Sequence, residues 1–200
     1  MSQPATTTET ISDRIKLPLS YDVAKMQEEV TAMGLESFTY YKVIPLRAPA
    51  HVVDPSLPFP PPADDYADGT WTEWSNTEEL KSSPYLMSIL EEFQKHTRVT
   101  LVRMLRLQPG AEVQEHTDPT LGLHIERSVI RLTIPVFRDF DNIEFYLNGE
   151  TIPMKEGECW YLRLTDPHKI INRSTNERIN LTLDMEPNEW VRNLIIKAAD

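Results

Sequence analysis

The residues with the clearest chemical potential are His116 and Asp118, in His116-Thr117-Asp118, and His168, in Asp166-Pro167-His168. Two imidazoles and one carboxylate on one face of an octahedral ion leave the opposite face open. That arrangement suits an Fe(II) that must also bind a substrate and O2. The competing explanation is a solvated loop, because a lone His-x-Asp arises easily by chance. The choice depends on whether the chain has elements that bring three such distant side chains together.

Those elements are legible from residue 99 onward. Apolar alternation and turn residues predict strands over 99–107, 112–116, 129–137, 142–147, 150–154, 157–163, 168–173 and 178–185. Pro109-Gly110, Asn148-Gly149, Gly157 and Asp166-Pro167 separate them, and Asn-Gly is a strong two-residue hairpin signal. Evenly spaced short strands imply a mainly β fold, a double-stranded β-helix (jelly roll, cupin-like) with flanking α-helices. One helix is expected over 22–33, capped by Asp22 and stopped by Gly34, with Val23, Met26, Val30 and Met33 on one face. A second starts at Pro84 and runs to about residue 96, burying Leu86, Ile89, Leu90 and Phe93. A third starts after Glu186-Pro187-Asn188. SFTYYKVIPL, 37–46, reads as a further strand, 48–69 as a long proline-rich ordered loop, and residues 1–20 as a loose tail or edge segment. The expected organisation is one domain. Residues 1–98 supply helices, arm and lid elements, 99–187 form the catalytic core, and 188–200 form a terminal helix.

Composition narrows the function. A chain of 200 residues can bury a full core. A formal net charge of −11 argues against nucleic acid as a partner. No apolar run reaches membrane-spanning length, and MSQPATTTETISDR has neither the basic nor the apolar part of a secretory leader. The two Asn-x-Ser/Thr sequons, at Asn172 and Asn180, then carry no meaning. Cys159 is the only cysteine, which excludes an internal disulfide and a cysteine-based zinc site. The expected location is cytoplasmic. The expected partner is a small-molecule substrate, with no nucleic acid and no membrane; a homodimer is compatible with the sequence.

Two strands indicate which side of the sheet carries the chemistry. Ile130, Leu132, Ile134 and Val136 share one face of 129–137, with Arg131 and Thr133 on the other. Ile179, Leu181, Leu183 and Met185 oppose Arg178, Asn180, Thr182 and Asp184 in the same way. An ordinary half-buried sheet would turn its polar face to water. The amphipathic helices, however, need an apolar sheet to cover. The expectation is therefore that the polar faces line the inside of a barrel mouth.

Residues 101–118, LVRMLRLQPGAEVQEHTD, and 161–184, YLRLTDPHKIINRSTNERINLTLD, resemble the aspartyl/asparaginyl β-hydroxylase family of Fe(II)/2-oxoglutarate oxygenases. The shared features are an arginine-bearing strand, Pro-Gly, His-x-Asp, a second arginine-bearing strand, then His, Asn-Arg-Ser and Arg. The resemblance spans roughly 84–187. It implies that His116, Asp118 and His168 hold Fe(II), and that Arg178 pairs with the distal carboxylate of the co-substrate 2-oxoglutarate. Arg131 matches another arginine used for a co-substrate or substrate carboxylate. The implied reaction couples O2-dependent decarboxylation of 2-oxoglutarate, to succinate and CO2, to hydroxylation of the substrate. Asp118 sets the chain apart from the animal peptide-hydroxylating branch, which lacks that carboxylate, and moves it toward the branch acting on free amino acids such as proline. Thr133 stands where the animal branch has a histidine.

Four arginines, Arg103, Arg106, Arg131 and Arg178, fall on strands expected around the metal. A buried guanidinium needs an anion, so at least one beyond Arg178 is expected to meet a substrate carboxylate, with Arg131 first and Arg103 or Arg106 next. The internal alternative is pairing with Glu112, Glu115 or Asp184. Trp71 and Trp74 are candidates for a pocket wall, or else pack their loop onto the core. His124, in the loop after the metal motif, is a candidate substrate contact; His51 and His96 read as surface residues. Two rival functions remain: a cupin-like metalloenzyme that does not use 2-oxoglutarate, and a non-catalytic jelly-roll ligand-binding module.

Overall fold

The computed structural model describes residues 11–34, 43–63, 68–125 and 127–199. The strands are β1 (Arg14–Ser20), β2 (Val43–Pro49), β3 (Trp74–Asn76), β4 (Val99–Leu107), β5 (Glu112–His116), β6 (Ile130–Phe137), β7 (Ile143–Leu147), β8 (Glu150–Thr151), β9 (Glu158–Leu162), β10 (His168–Asn172) and β11 (Arg178–Met185). The helices are α1 (Val23–Met33), α2 (Ala50–Val53), α3 (Glu78–Lys81), α4 (Pro84–Gln94) and α5 (Glu189–Ala199). A seven-stranded sheet, β1-β9-β6-β11-β4-β2-β3, faces a four-stranded sheet, β5-β10-β7-β8, and all the ladders within them are antiparallel. This is the expected double-stranded β-helix with flanking helices. Among the described residues no helix is long and apolar enough to cross a membrane.

All eight strands expected after residue 98 are present, the fifth shortened to Glu150–Thr151, after which Ile152 and Met154 are buried in the core. Upstream the differences are larger. The N-terminal segment is an edge strand, β1, whose Ile15 and Leu17 are buried. The strand expected over 37–46 is found as Val43–Pro49, and residues 37–42 lie outside the described residues. The short elements α2, β3 and α3 gave no periodic signal. Four residues or fewer cannot show one.

The helices decide which way the sheet faces. Met26 and Val30 of α1, and Leu86, Ile89, Leu90 and Phe93 of α4, share one core with Ile130, Leu132, Ile134 and Val136 of β6 and with Ile179, Leu181, Leu183 and Met185 of β11. The four β6 residues are fully buried, each worth about 1.5–3 kcal/mol relative to exposure. A one-residue slip would exchange them for Arg131 and Thr133, so the register is strongly fixed. The polar faces of β6 and β11 consequently turn inward, between the two sheets. A second cluster, including Leu107, Phe145, Leu147, Trp160, Leu162 and Ile170, joins the two sheets there.

A carboxylate couples the two covering helices. Ser83 precedes α4 without capping it by its own side chain. Glu29 of α1 accepts from the backbone N–H groups of Tyr85 (2.7 Å) and Leu86 (2.9 Å) instead, and a negative charge there also suits the helix dipole. Glu29→Ala is expected to cost about 1–3 kcal/mol, read as a lower urea midpoint at unchanged slope. Glu28→Ala, at an exposed position, should leave the midpoint within experimental scatter; equal effects would show that the cap contributes nothing.

Candidate metal centre and its two cavities

His116 ends β5, and His168 begins β10 directly opposite it in the antiparallel ladder. The pairing brings the two rings to 4.2 Å between centroids. Asp118 follows β5 in a turn held by its N–H to Leu164 O (2.8 Å) and by Leu121 N–H to Asp118 O (3.1 Å). One ligand atom from each of His116, Asp118 and His168 lies within 4.8 Å of the others. His168 Nε2 is 3.9 Å from Asp118 Oδ2, a gap that one ion with bonds of about 2.0–2.2 Å can bridge.

The backbone selects the ligating nitrogens. His116 Nδ1 is 2.8 Å from Gln114 O, and His168 Nδ1 is 2.9 Å from Asp166 O. A carbonyl only accepts, so each Nδ1 carries the hydrogen and each Nε2 offers its lone pair inward. Burial, reinforced by His116 and Arg131, lowers the His168 pKa, which favours the neutral, ligating form. The donor set and its supporting bonds fit a divalent ion.

A cavity of about 320 Å³ opens beside this cluster. Its wall includes His116, Asp118, His168, Phe145, Thr133, Arg178, Asn180 and Thr182. Arg178 is 4% exposed. Its Nε is buried without a hydrogen-bond partner, and among the described residues no carboxylate pairs with it. Asn180 supplies only an amide, its Oδ1 accepting from Nη2 at 2.7 Å in the orientation that also lets Nδ2 donate to Ile179 O. The Phe145 ring lies 5.9 Å from the guanidinium carbon. Burial, and secondarily Arg138, pulls the Arg178 pKa down to about 9. This is the signature of a cation held without its anion.

Asn172 explains how Arg178 reaches that place. It donates to Leu107 O, Gln108 O and Asn176 O, and its Oδ1 accepts from the Ser174 N–H and hydroxyl. The Asn172-Arg173-Ser174 sequence is therefore a turn clamp that aims β11 back into the barrel. It is legible as a motif, but nothing in the sequence shows that its job is architectural.

A second cavity, of about 270 Å³, shares Arg103, Asp118 and Arg131 with the first and is closed by Trp71, Trp74, Gly69 and Thr100. Both tryptophans thus line a cavity. Trp74 Nε1 donates to Gly69 O (2.8 Å) and the two rings meet edge-on, 6.0 Å apart. Gly69 has φ +72°, and a Cβ there would lie 2.8 Å from Thr100 Cγ2, so only glycine lets this loop press against β4.

The other candidates separate. Arg131 donates through Nε and Nη2 to the two oxygens of Asp184, both at 2.7 Å, and through Nη1 to Asp118 Oδ2 at 3.5 Å. Of the two expectations for Arg131, a ligand carboxylate or an internal partner, the structure shows the internal partner, Asp184. Its charge is met by Asp184, and what remains of its reach steadies the metal carboxylate. Arg106 lines the first cavity and is engaged by Glu177 at 2.6 and 2.9 Å. His124 rests against Thr165, 3.5 Å away, and lines neither cavity. Of the histidines read as surface residues, His51 is half-buried against Phe59 and Trp71, and His96 is exposed and stacks on Trp190.

The family model for aspartyl/asparaginyl beta-hydroxylase matches residues 66–187, more than half of the sequence. The chain belongs to this family. No curated protein matches it in sequence. Among solved structures it is similar to the viral collagen prolyl hydroxylase vCPH of Paramecium Bursaria Chlorella virus-1, determined as a 2-oxoglutarate complex. That match has 12% identity, covers 89% of this chain and 97% of that one, and has a TM-score of 0.50. It is also similar to the non-heme monooxygenase ThoJ, with 11% identity, 88% and 74% coverage and a TM-score of 0.53. ThoJ has also been determined as a nickel complex. At these identities the likeness is one of fold.

Replacing either histidine by alanine removes one of three protein donors. His116→Ala and His168→Ala are expected to lose stoichiometric divalent-metal binding in titration calorimetry; retention by either excludes that ligand. Arg131→Leu should destabilise the fold by about 3–5 kcal/mol, because it strands a buried Asp184 carboxylate. Adding Asp184→Leu should recover most of that loss in a denaturant titration. If the double variant is no more stable than the single one, the pair is not the source of the penalty.

Proposed function

We propose that the protein is an Fe(II)- and 2-oxoglutarate-dependent oxygenase that hydroxylates a small carboxylate-bearing substrate, a free or modified amino acid. The products besides the hydroxylated substrate are succinate and CO2. The observation that carries this reading is Arg178: a buried guanidinium without an anion, in the same cavity as a His/Asp/His cluster. A metal-only enzyme has no use for it, and leaving it empty is costly.

His116 Nε2, Asp118 and His168 Nε2 would hold the iron, which, with 2-oxoglutarate and O2, supplies the oxidising power for C–H hydroxylation. Arg178 would take the remote carboxylate of 2-oxoglutarate through its planar fork, with Asn180 fixing one side of that fork. Phe145 and the surrounding apolar lining exclude water and so strengthen the ion pair. Arg131 would hold the metal carboxylate in one orientation. Family membership supports the hydroxylase chemistry. The likeness in fold to a viral prolyl hydroxylase that was determined with 2-oxoglutarate supports the co-substrate.

The test is consumption of 2-oxoglutarate and release of succinate, dependent on Fe(II), followed by NMR. Arg178→Ala is expected to keep metal binding and to lose about 2–5 kcal/mol of 2-oxoglutarate affinity, tenfold for each ~1.4 kcal/mol. An unchanged affinity would put the co-substrate elsewhere. Absence of any 2-oxoglutarate consumption would favour a cupin-like metalloenzyme of another kind.

A further inference from the structure

We infer that Arg103 is the residue that recognises the substrate's carboxylate, and that the substrate is a monocarboxylate of amino-acid size whose apolar side lies against Trp71 and Trp74. The inference rests on the proposed function and adds the second anion site to it.

The argument starts from the pairing of charges in the two cavities. Arg131 is taken by Asp184 and Asp118, and Arg106 by Glu177. Arg103 has neither: its Nε is buried without a partner, and among the described residues no carboxylate forms an ion pair with it. Burial first, and the neighbouring Arg131 second, lower its pKa. Metal binding would add positive charge at Asp118, on the wall that both cavities share. The wall of the outer cavity also holds Asp118 and Asp184, which pull on Arg103 from a distance. Asp184 is engaged by Arg131 and Asp118 would be engaged by the metal, so Arg103 is the group in that wall left to meet an anion.

That anion is distinct from the one at Arg178. Along β11 the inward row runs Arg178, Asn180, Thr182, Asp184, and Arg103 of β4 stands opposite Thr182. The two unpaired guanidiniums thus spring from positions four residues apart along one ladder, roughly 13 Å at the rise of a strand. A 2-oxoglutarate bound to metal through its keto-acid end has one carboxylate left, and one carboxylate cannot serve both. The second guanidinium calls for a further carboxylate, and the one that is engaged neither by the metal nor by Arg178 is the substrate's.

The remaining walls set the rest of the molecule. The cavity of about 270 Å³ is at the lower edge of the ~300–1,000 Å³ typical of small-molecule sites, which suits a single residue better than a peptide. The same cavity is lined by the two indole rings, held against β4 through Gly69. A ring or aliphatic chain packs there, with one end at Arg103 and its middle carbons next to Asp118. This places the C–H bond to be attacked at a carbon beyond the carboxylate-bearing one.

The experiment screens free L-amino acids, their N-acetyl derivatives and the corresponding carboxamides for stimulation of succinate release by the Fe(II)-loaded protein. At least one acid is expected to be turned over, with its carboxamide weaker by about 30-fold or more in kcat/KM. In Arg103→Gln the KM for that acid should rise by a similar factor and the acid-to-amide preference should collapse. The dissociation constant for 2-oxoglutarate should move less than about threefold. Arg103→Lys, which keeps the charge but not the fork, should recover part of the preference. The inference is overturned if no acid is turned over, if acid and amide are equal in the wild type, or if Arg103→Gln weakens 2-oxoglutarate instead of the acid. Substrate-independent 2-oxoglutarate consumption by the wild type separates the two failures. When no acid is turned over, its presence sinks only the role of Arg103 and its absence sinks the oxygenase reading itself; the other two outcomes sink only the role of Arg103.

Discussion

The bidentate pair between Arg131 and Asp184 sets the electrostatics of the interior. Asp184 is buried and Arg131 nearly so, on adjacent strands, β11 and β6, and they meet in register with two bonds of 2.7 Å. Fully satisfied, such a pair is tolerable in a low-dielectric interior; half of it would not be. Its consequence extends past its own two residues. It neutralises one arginine and one aspartate of the cavity walls, ties Asp118 to a rigid neighbour, and leaves Arg103 and Arg178 as cavity cations with no ion-pair partner among the described residues. The reading of the site as one that binds two carboxylates depends on that subtraction.

What permits a charged pair inside the barrel is the apolar cover outside it. The helices α1 and α4, joined through Glu29, occupy the face of the large sheet that would otherwise be wet. With that face sealed, the alternate residues of β4, β6 and β11 have only the space between the sheets to occupy. The hydrophobic term fixes the register and the polar residues follow it.

The sequence carried this logic well where the period was long. The strands from 99 onward, both long amphipathic helices and the inversion of the sheet could be read from alternation in β6 and β11 and from the apolar stripe at Met26, Val30, Leu86 and Phe93. The candidate His/Asp/His cluster was legible because turn signals placed His168 at a strand start, which the ladder then set opposite His116. Pairing was not legible. That Arg131 finds Asp184, Arg106 finds Glu177 and Arg103 finds neither depends on register across strands far apart in sequence, and a residue type alone says nothing about its cross-strand neighbour. The edge strand β1 was missed as a definite element because the polar stretch before it masks a short alternation. The small elements α2, β3 and α3 owe their form to tertiary contacts, as with Thr77, whose hydroxyl reaches Pro45 O and Leu46 O on β2.

Arg103 sits between Val102 and Met104, both of which belong to the helix-covered core and are almost completely buried. On this strand selectivity and stability are written on alternating letters of the same word. A replacement at 103 alters the wall of the outer cavity without touching the contacts that 102 and 104 make in the helix-covered core, and effects on opposite faces without shared partners combine nearly additively. The scaffold is therefore evolvable in a specific sense: its ligand preference can drift by single substitutions at inward positions while the folding free energy, stored one residue to either side, is left in place.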